Sequence, residues 1–175
     1  MKRSLMSALC GLLFTACAEQ EPTVRASELA LRSLAAAFES ADTALIVDLF
    51  APDARYDDFA NQATYEGIDE IVGYVTAAHS WGDDVYMNIG QVHSSDAGAV
   101  GEWVFSAIQS RPMADLFPEA TGREVVMNGV TIVEMLGGRI VRAADYTDTA
   151  PLMLQLGGRI VLPSGEEVTL DDVGN

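Results

Sequence analysis

The chain has 175 residues and is 49% hydrophobic, about one domain's length with enough apolar side chains for a single core. Its 10 basic residues against 26 acidic ones give a formal net charge of −16, which excludes nucleic acid as a partner and opposes adsorption to anionic lipid, because phosphate binding needs clustered cations. Both cysteines, Cys10 and Cys17, lie near the N-terminus, so the rest of the chain has no disulfide, thiolate nucleophile or cysteine metal site.

Lys2 and Arg3 are followed by an apolar run from Leu5 to Ala16, broken only by small or weakly polar residues. At 1.5 Å per residue this run reaches about 18 Å, short of the roughly 30 Å hydrocarbon core, so it reads as an export signal rather than a permanent span. The stretch Phe14-Thr15-Ala16-Cys17 resembles a bacterial lipobox, with Phe14 where leucine is usual and Cys17 as the lipidated mature N-terminus. Cleavage after Ala18 is the alternative, with Ala16 and Ala18 as the small-residue pair. The first reading gives a lipoprotein of the periplasm or cell envelope that meets the membrane only through its anchor; the second gives a secreted protein. Without Lys2 and Arg3, 8 arginines face 26 acids and the charge is −18. Residues 18–26, polar and containing Pro22, read as a tether.

A first helix follows, with Leu31, Leu34, Ala35 and Phe38 at helical spacing. Asp42 suits the N-cap of a second, carrying Leu45, Ile46 and Leu49 and stopped by Pro52. Arg55 to Phe59 reads as a short strand with Tyr56 and Asp58 on one face. A third helix begins after Gly67, with Asp69 and Glu70 complementing its dipole and Ile68, Ile71, Val72 and Val75 as the buried stripe, and ends near His79.

Long strands come next: Val85 to His93, a turn at Ser94 to Gly98, then Ala99 to Ser110, expected to pair antiparallel. Arg111 to Gly122, with Pro112 and Pro118, reads as a loop. Val125 to Asp148 forms a hairpin whose turn is Gly137-Gly138, where positive φ favours glycine. Strict alternation puts Val141, Ala143 and Asp145 on one face, and Ile140, Arg142, Ala144 and Tyr146 on the other. Asp145 thus interrupts an apolar row. Either it reaches the rim and stays solvated, to which the strand pattern alone gives more weight, or it points into a cavity with a raised pKa and moves protons. The hexapeptide LGGRIV occurs at Leu136 to Val141 and again at Leu156 to Val161, by chance or as part of a second small hairpin closed near Pro163-Ser164-Gly165.

Helices first and connected strands after argue α+β. Three stretches then carry a resemblance: DLFAPDARYDD (Asp48 to Asp58), YEGIDEIVGYV (Tyr65 to Val75) and TGREVVMNGVTIVEMLGGRIVRAADYTDTAPLMLQLG (Thr121 to Gly157). They resemble the SnoaL-like polyketide cyclases of the nuclear transport factor 2-like superfamily, which also holds ketosteroid isomerases and limonene epoxide hydrolase. The resemblance spans residues 27–157 and leaves 158–175 as a C-terminal extension. It implies a cone in which three N-terminal helices pack on a curved, mainly antiparallel sheet around an apolar pocket. It does not by itself imply an activity.

Against the epoxide hydrolase pattern, Tyr56 and Asp145 match a tyrosine and the final aspartate, and Asp58 stands where the asparagine would be. Trp103 and Phe105 occupy the positions of the arginine and middle aspartate, which removes that chemistry. Against the isomerase pattern Asp58 matches the proton-shuttling aspartate, but the two oxyanion-hole donors fall at Leu34 and Val130, so a dienolate would gain no hydrogen bonds. A cyclase needs less: an acid/base aspartate beside a shaped apolar cavity. Asp145, with Asp58 and Tyr56 opposite, meets that requirement.

These comparisons make Asp145, Asp58 and Tyr56 the candidate catalytic residues and Trp103, Phe105, Leu34, Asn128 and Val130 the candidate ligand-binding ones. Asn128 shares a strand face with Val126 and Val130 as either a pocket polar group or a satisfied edge residue. Trp81 and Trp103 pack the core or line the pocket, and Asp148 contacts backbone at the strand end. His79 and His93 lie on different elements without a spaced third ligand, so no metal is expected, and no phosphate loop, dinucleotide fingerprint or nucleophile elbow implies a cofactor. Two functional classes follow. One is a cofactor-independent acid/base enzyme (isomerase, cyclase or hydrolase) acting on a small hydrophobic molecule. The other is a non-catalytic envelope lipoprotein that uses the same cavity for a hydrophobic ligand, or the sheet face to form a homodimer.

Overall fold

The computed structural model describes residues 21–173. The expected export signal with Cys17, and the first residues of the expected tether, lie outside the described residues. Helix α1 (Glu21–Ser40) takes in residues 21–26 of that tether, with Pro22 in its first turn, where a missing N–H removes no intrahelical bond. Leu31, Leu34, Ala35 and Phe38 are buried along its inner stripe as their spacing requires. Asp42 caps α2 (Thr43–Leu49), its carboxylate accepting from the N–H groups of Ala44 and Leu45 at 3.0 and 3.1 Å.

Strand β1 (Phe50–Asp58) starts five residues before the expected strand. Pro52 therefore lies inside β1, where the register shifts between Phe50 and Arg55, and the helix has already ended. β2 (Ala63–Glu66) pairs antiparallel with β1. The third expected helix is two: α3 (Ile68–Thr76), entered through Gly67 at φ +78°, and the short α4 (Ala78–Trp81). Arg111 seats α4 by donating to the carbonyls of His79, Ser80 and Gly82 while pairing with Asp83 at 2.7 Å.

β3 (Gly82–Ser95) and β4 (Gly98–Gln109) form the expected antiparallel pair. β5 (Glu124–Leu136) and β6 (Arg139–Thr147) form the glycine-turn hairpin, with Gly137 and Gly138 at φ +60° and +81°. One residue departs from strict alternation. Glu134 pairs with Arg142 but Met135 with Ile140, so Val141 is an extra residue in β6. This bulge turns Ile140 fully into the core and leaves Val141 half-buried, the reverse of strict alternation. α5 (Ala150–Gln155) follows, then a small hairpin of β7 (Ile160–Val161) and β8 (Glu167–Val168), and α6 (Leu170–Val173).

The main sheet runs β2-β1-β6-β5-β4-β3, antiparallel throughout except where β1 lies parallel to β6. Helix α1 packs on β3, β4 and β5 and α3 on β1 and β2, and between these layers lies the core. Between β4 and β5 the expected loop crosses one end of the sheet, held by the buried Gln109. Its Nε2 donates to the carbonyls of Arg111 and Glu119 at 2.7 and 3.1 Å, and its Oε1 accepts from Thr121 N at 2.6 Å.

Candidate active site

A cavity of about 480 Å³ lies between the sheet and the helices, with Met113 and Leu116 of the Gln109-anchored loop and Leu152 and Met153 of α5 at its border. Trp103 and Phe105 of β4 and Met127 of β5 form its floor; Phe38, Tyr74 and Trp81 come from the helices. Position 129 sets the lie of the Trp103 indole. Gly129 is the register partner of Trp103, and a Cβ there would meet the indole at 2.2 Å, so glycine lets the ring lie flat across β5. Its Nε1 thereby reaches Thr131 Oγ1 at 2.9 Å.

Thr131 passes that bond on. Its hydroxyl donates to Asp145 Oδ1 at 2.5 Å, while Tyr56 and Tyr74 each donate to Asp145 Oδ2 at 2.9 Å. Asp145 is 4% exposed and lies on the cavity wall. Burial drives its pKa up, the hydrogen bonds from Thr131, Tyr56 and Tyr74 pull it down, and the charge of Asp58 adds to the rise, leaving it at about 6. Both tyrosines shift the same way: burial and then the negative charge of Asp145 hold their hydroxyls above the ordinary phenol range, which keeps them protonated donors. A carboxylate has about four acceptor positions. Three are filled by protein hydroxyls, which leaves one for a proton from a molecule in the cavity.

Asp58 reaches the same wall because β1 and β6 are parallel and place it in register beside Asp145. It is 3% exposed and accepts from Asn61 N at 3.1 Å and Asn61 Nδ2 at 2.6 Å. Its neighbour Asp57 points the other way, toward the guanidinium groups of Arg55 (2.6 Å) and Arg142 (2.9 Å) and the hydroxyl of Thr64. Burial works against the charge of Asp57, but those three partners outweigh it and hold its pKa below the usual carboxylate value.

Of the expected site residues, Asp145, Asp58, Trp103 and Phe105 converge on the cavity, and the solvated-rim alternative for Asp145 is overturned. Tyr56 is fully buried behind Asp145 and acts on it without lining the cavity. Three ligand-binding expectations are corrected. Leu34 packs in the core, while Asn128 and Val130 border a shallow depression on the opposite sheet face, because β5 turns Met127, Gly129, Thr131 and Val133 inward. Tyr74 and Thr131 were not anticipated. Tyr74 follows Ile71 by three residues on α3, the spacing that would have pointed to it. His79 donates from Nε2 to the Phe38 carbonyl at 2.9 Å, a packing role at a helix end, and Asp148 accepts from Ala150 N at 3.0 Å. Among the described residues, no three His, Cys, Asp or Glu side chains are grouped to hold a metal ion.

Solved structures share this architecture at low identity. TsrD from Streptomyces laurentii matches with a TM-score of 0.66 at 21% identity over 76% of this chain and 96% of its own. A protein from Jannaschia sp. CCS1, provisionally described as a SnoaL-like polyketide cyclase, gives 0.70 at 15% over 79% and 96%. IdmH from Streptomyces antibioticus, provisionally described as a polyketide cyclase, gives 0.66 at 19% over 75% and 98%. At such identities the likeness establishes the nuclear transport factor 2-like fold and no activity. No curated protein sequence matches the chain. The SnoaL-like domain profile, however, matches residues 31–143, well over half of the 175 residues and including Asp58, Tyr74, Thr131 and Trp103, and on that ground the chain belongs to the SnoaL-like domain family.

Proposed function

We propose that the cavity catalyses cofactor-independent proton transfer on a small apolar molecule, with Asp145 as the general base and then the general acid. The observation that carries this reading is a buried carboxylate, poised near pH 6 on the wall of a largely apolar cavity, fixed by three hydroxyl donors. A proton-transfer group works best when its pKa lies near the operating pH. In the step envisaged, a C–H bond beside a carbonyl breaks, its proton moves to Asp145, and the electron pair becomes an enolate. Returning the proton at another carbon isomerises the substrate; attack of the enolate on a second carbonyl forms a C–C bond and closes a ring, while that carbonyl's π bond breaks to an alkoxide that takes the proton back from Asp145. Leu34 and Val130 supply no oxyanion donors, so the substrate must bring an already acidic C–H, such as one between two carbonyls.

The export signal supports a site of action outside the cytoplasm, with the domain held to the envelope by a lipid on Cys17. The test of the chemistry is deuterium exchange into a panel of apolar 1,3-dicarbonyl compounds, followed by proton NMR. Wild-type protein should accelerate exchange, with a rate that rises as Asp145 ionises through about pH 6, and Asp145→Asn should lose a factor of about 10² to 10⁴. Undiminished exchange in Asp145→Asn would remove the residue from the chemistry. Absence of exchange across the panel, with ligands still bound, would favour the non-catalytic envelope protein.

A further inference from the structure

The charged side chains on the described cavity lining are Asp58 and Asp145, with no arginine, lysine or histidine among them. The cations lie elsewhere: on the reverse face of the same strands, Arg55 and Arg142 neutralise Asp57. Asp58 is equally buried, yet its hydrogen bonds come from the neutral Asn61, and no ion pair reaches it among the described residues. Around these two carboxylates stand the rings of Phe38, Tyr74, Trp81, Trp103 and Phe105. The face of an aromatic ring carries the negative side of its quadrupole and attracts a cation that lies over it; Tyr74 is itself stacked on Tyr65, which leaves the other four rings for that role.

We propose that the ligand of this cavity carries a protonated or quaternary amine, held by Asp58 and the aromatic faces, while its apolar body lies on Trp103, Phe105 and the adaptable side chains of Met87, Met113 and Met127. An anion is disfavoured by both carboxylates. A neutral molecule fits the apolar wall but leaves the buried carboxylate of Asp58 without a counter-charge. The cation also has a consequence for chemistry. The charge of Asp58 is one of the influences that push Asp145 up, so an ammonium beside Asp58 favours the ionised, proton-accepting form of Asp145. The assignment deepens the acid/base reading and rests on it for the role of Asp145, but its own test is binding, which is measured without turnover.

The probes are 2-phenylethylamine, 2-phenylethanol and phenylacetate, which share a ring and differ in the charge of the head group. The chain has two tryptophans, Trp81 and Trp103, and both line the cavity, so their fluorescence reports occupancy directly. At near-physiological salt the ammonium should bind at least about tenfold tighter than the alcohol, and phenylacetate weakest. Asp58→Asn should erase the preference for the amine while retaining the affinity for the alcohol. Because this substitution removes one charge from a chain at −16, it leaves general attraction of cations intact; an amine preference that survives it would overturn the proposal. Equal affinity for amine and alcohol, tighter binding of phenylacetate, or no saturable binding of the amine would overturn it too. Should Asp58→Asn fail to fold, the ranking of the three probes on the wild-type chain decides alone. Amine preference without exchange activity would sink the enzyme reading and leave this one standing; exchange on neutral substrates with no amine preference would do the reverse.

Discussion

Replacing Asp145 by asparagine should alter stability by an amount that depends on pH, and the direction follows from the raised carboxyl. The folded group titrates at about 6 and an unfolded aspartate at the ordinary 3.8. Below 3.8 both states are protonated and ionisation contributes nothing. Between the two values the folded state keeps a proton that the unfolded chain has released, so stability falls as pH rises; above about 6 the full penalty is present. At 1.36 kcal/mol per pH unit the gap corresponds to about 3 kcal/mol. Asparagine cannot ionise and escapes this loss. It also turns an N–H toward hydroxyls that now donate to a carboxylate, a disadvantage that Tyr56, Tyr74 and Thr131 can partly relieve by rotating their protons and that does not vary across this pH range. Urea unfolding of both proteins from about pH 4 to about pH 8 measures the difference. Because an unfolded aspartate is already more than half ionised at about pH 4, the stability of Asp145→Asn relative to wild type should improve by about 2 kcal/mol over that range. A constant difference, or one that moves toward the wild type as pH rises, would refute a buried carboxyl with a raised pKa.

Gly129→Ala should destabilise the fold by about 1–3 kcal/mol and change the near-ultraviolet circular dichroism of tryptophan, since a Cβ 2.2 Å from the Trp103 indole pushes it off Thr131; unchanged unfolding and spectra would contradict the close approach. Fatty-acid labelling in cells should tag the wild-type chain and not Cys17→Ser, whereas an untagged mature protein beginning at Glu19 would replace lipidation with simple secretion. With a formal charge of −16, self-repulsion should make the melting temperature rise with sodium chloride as the Debye length shrinks to roughly 3 Å at 1 M. A flat or falling curve would mean that the acidic groups are too dispersed or too well paired to matter.

The parts of the fold that depend on local signals were legible. Asp42 caps a helix, Gly137-Gly138 turns a hairpin, and the stripe of α1 faces the core, each for reasons contained within a few residues. The site was legible only in part, because it depends on relations across strands. Strict pairing about the glycine turn would set Thr131 opposite Ala144; the extra residue Val141 moves it opposite Asp145, and no pattern in the sequence marks that bulge. Val130 enters the expected pocket because the isomerase pattern sets an oxyanion-hole donor at that position, and Asn128 because it shares that strand face, but this face of β5 is the one turned away from the cavity. The glycine is there to admit an indole, and the threonine to relay its hydrogen bond to a carboxylate. For Asp145 the strand pattern alone leans to the rim, because the groups that make its burial tolerable, Tyr56 and Tyr74, arrive from distant elements; the family resemblance is what points it toward the cavity.

The parallel pairing of β1 with β6 has a consequence for the order in which the molecule assembles. Hairpins β3–β4 and β5–β6 close through neighbouring residues, but Tyr56 and Asp145 are 89 positions apart, and bringing such ends together carries roughly 4 kcal/mol of loop-closure entropy. Contacts of that separation are rewarded only after the entropy is lost, so β1 should dock on a sheet already formed, and Asp145 should acquire its Tyr56 partner in one of the last steps. Docking also sets Asp58 beside Asp145 in register. A chain that folds in mildly acidic surroundings makes this closure with Asp145 protonated and the two side chains no longer both negative, so the ambient pH enters the kinetics of folding through a residue on the cavity wall.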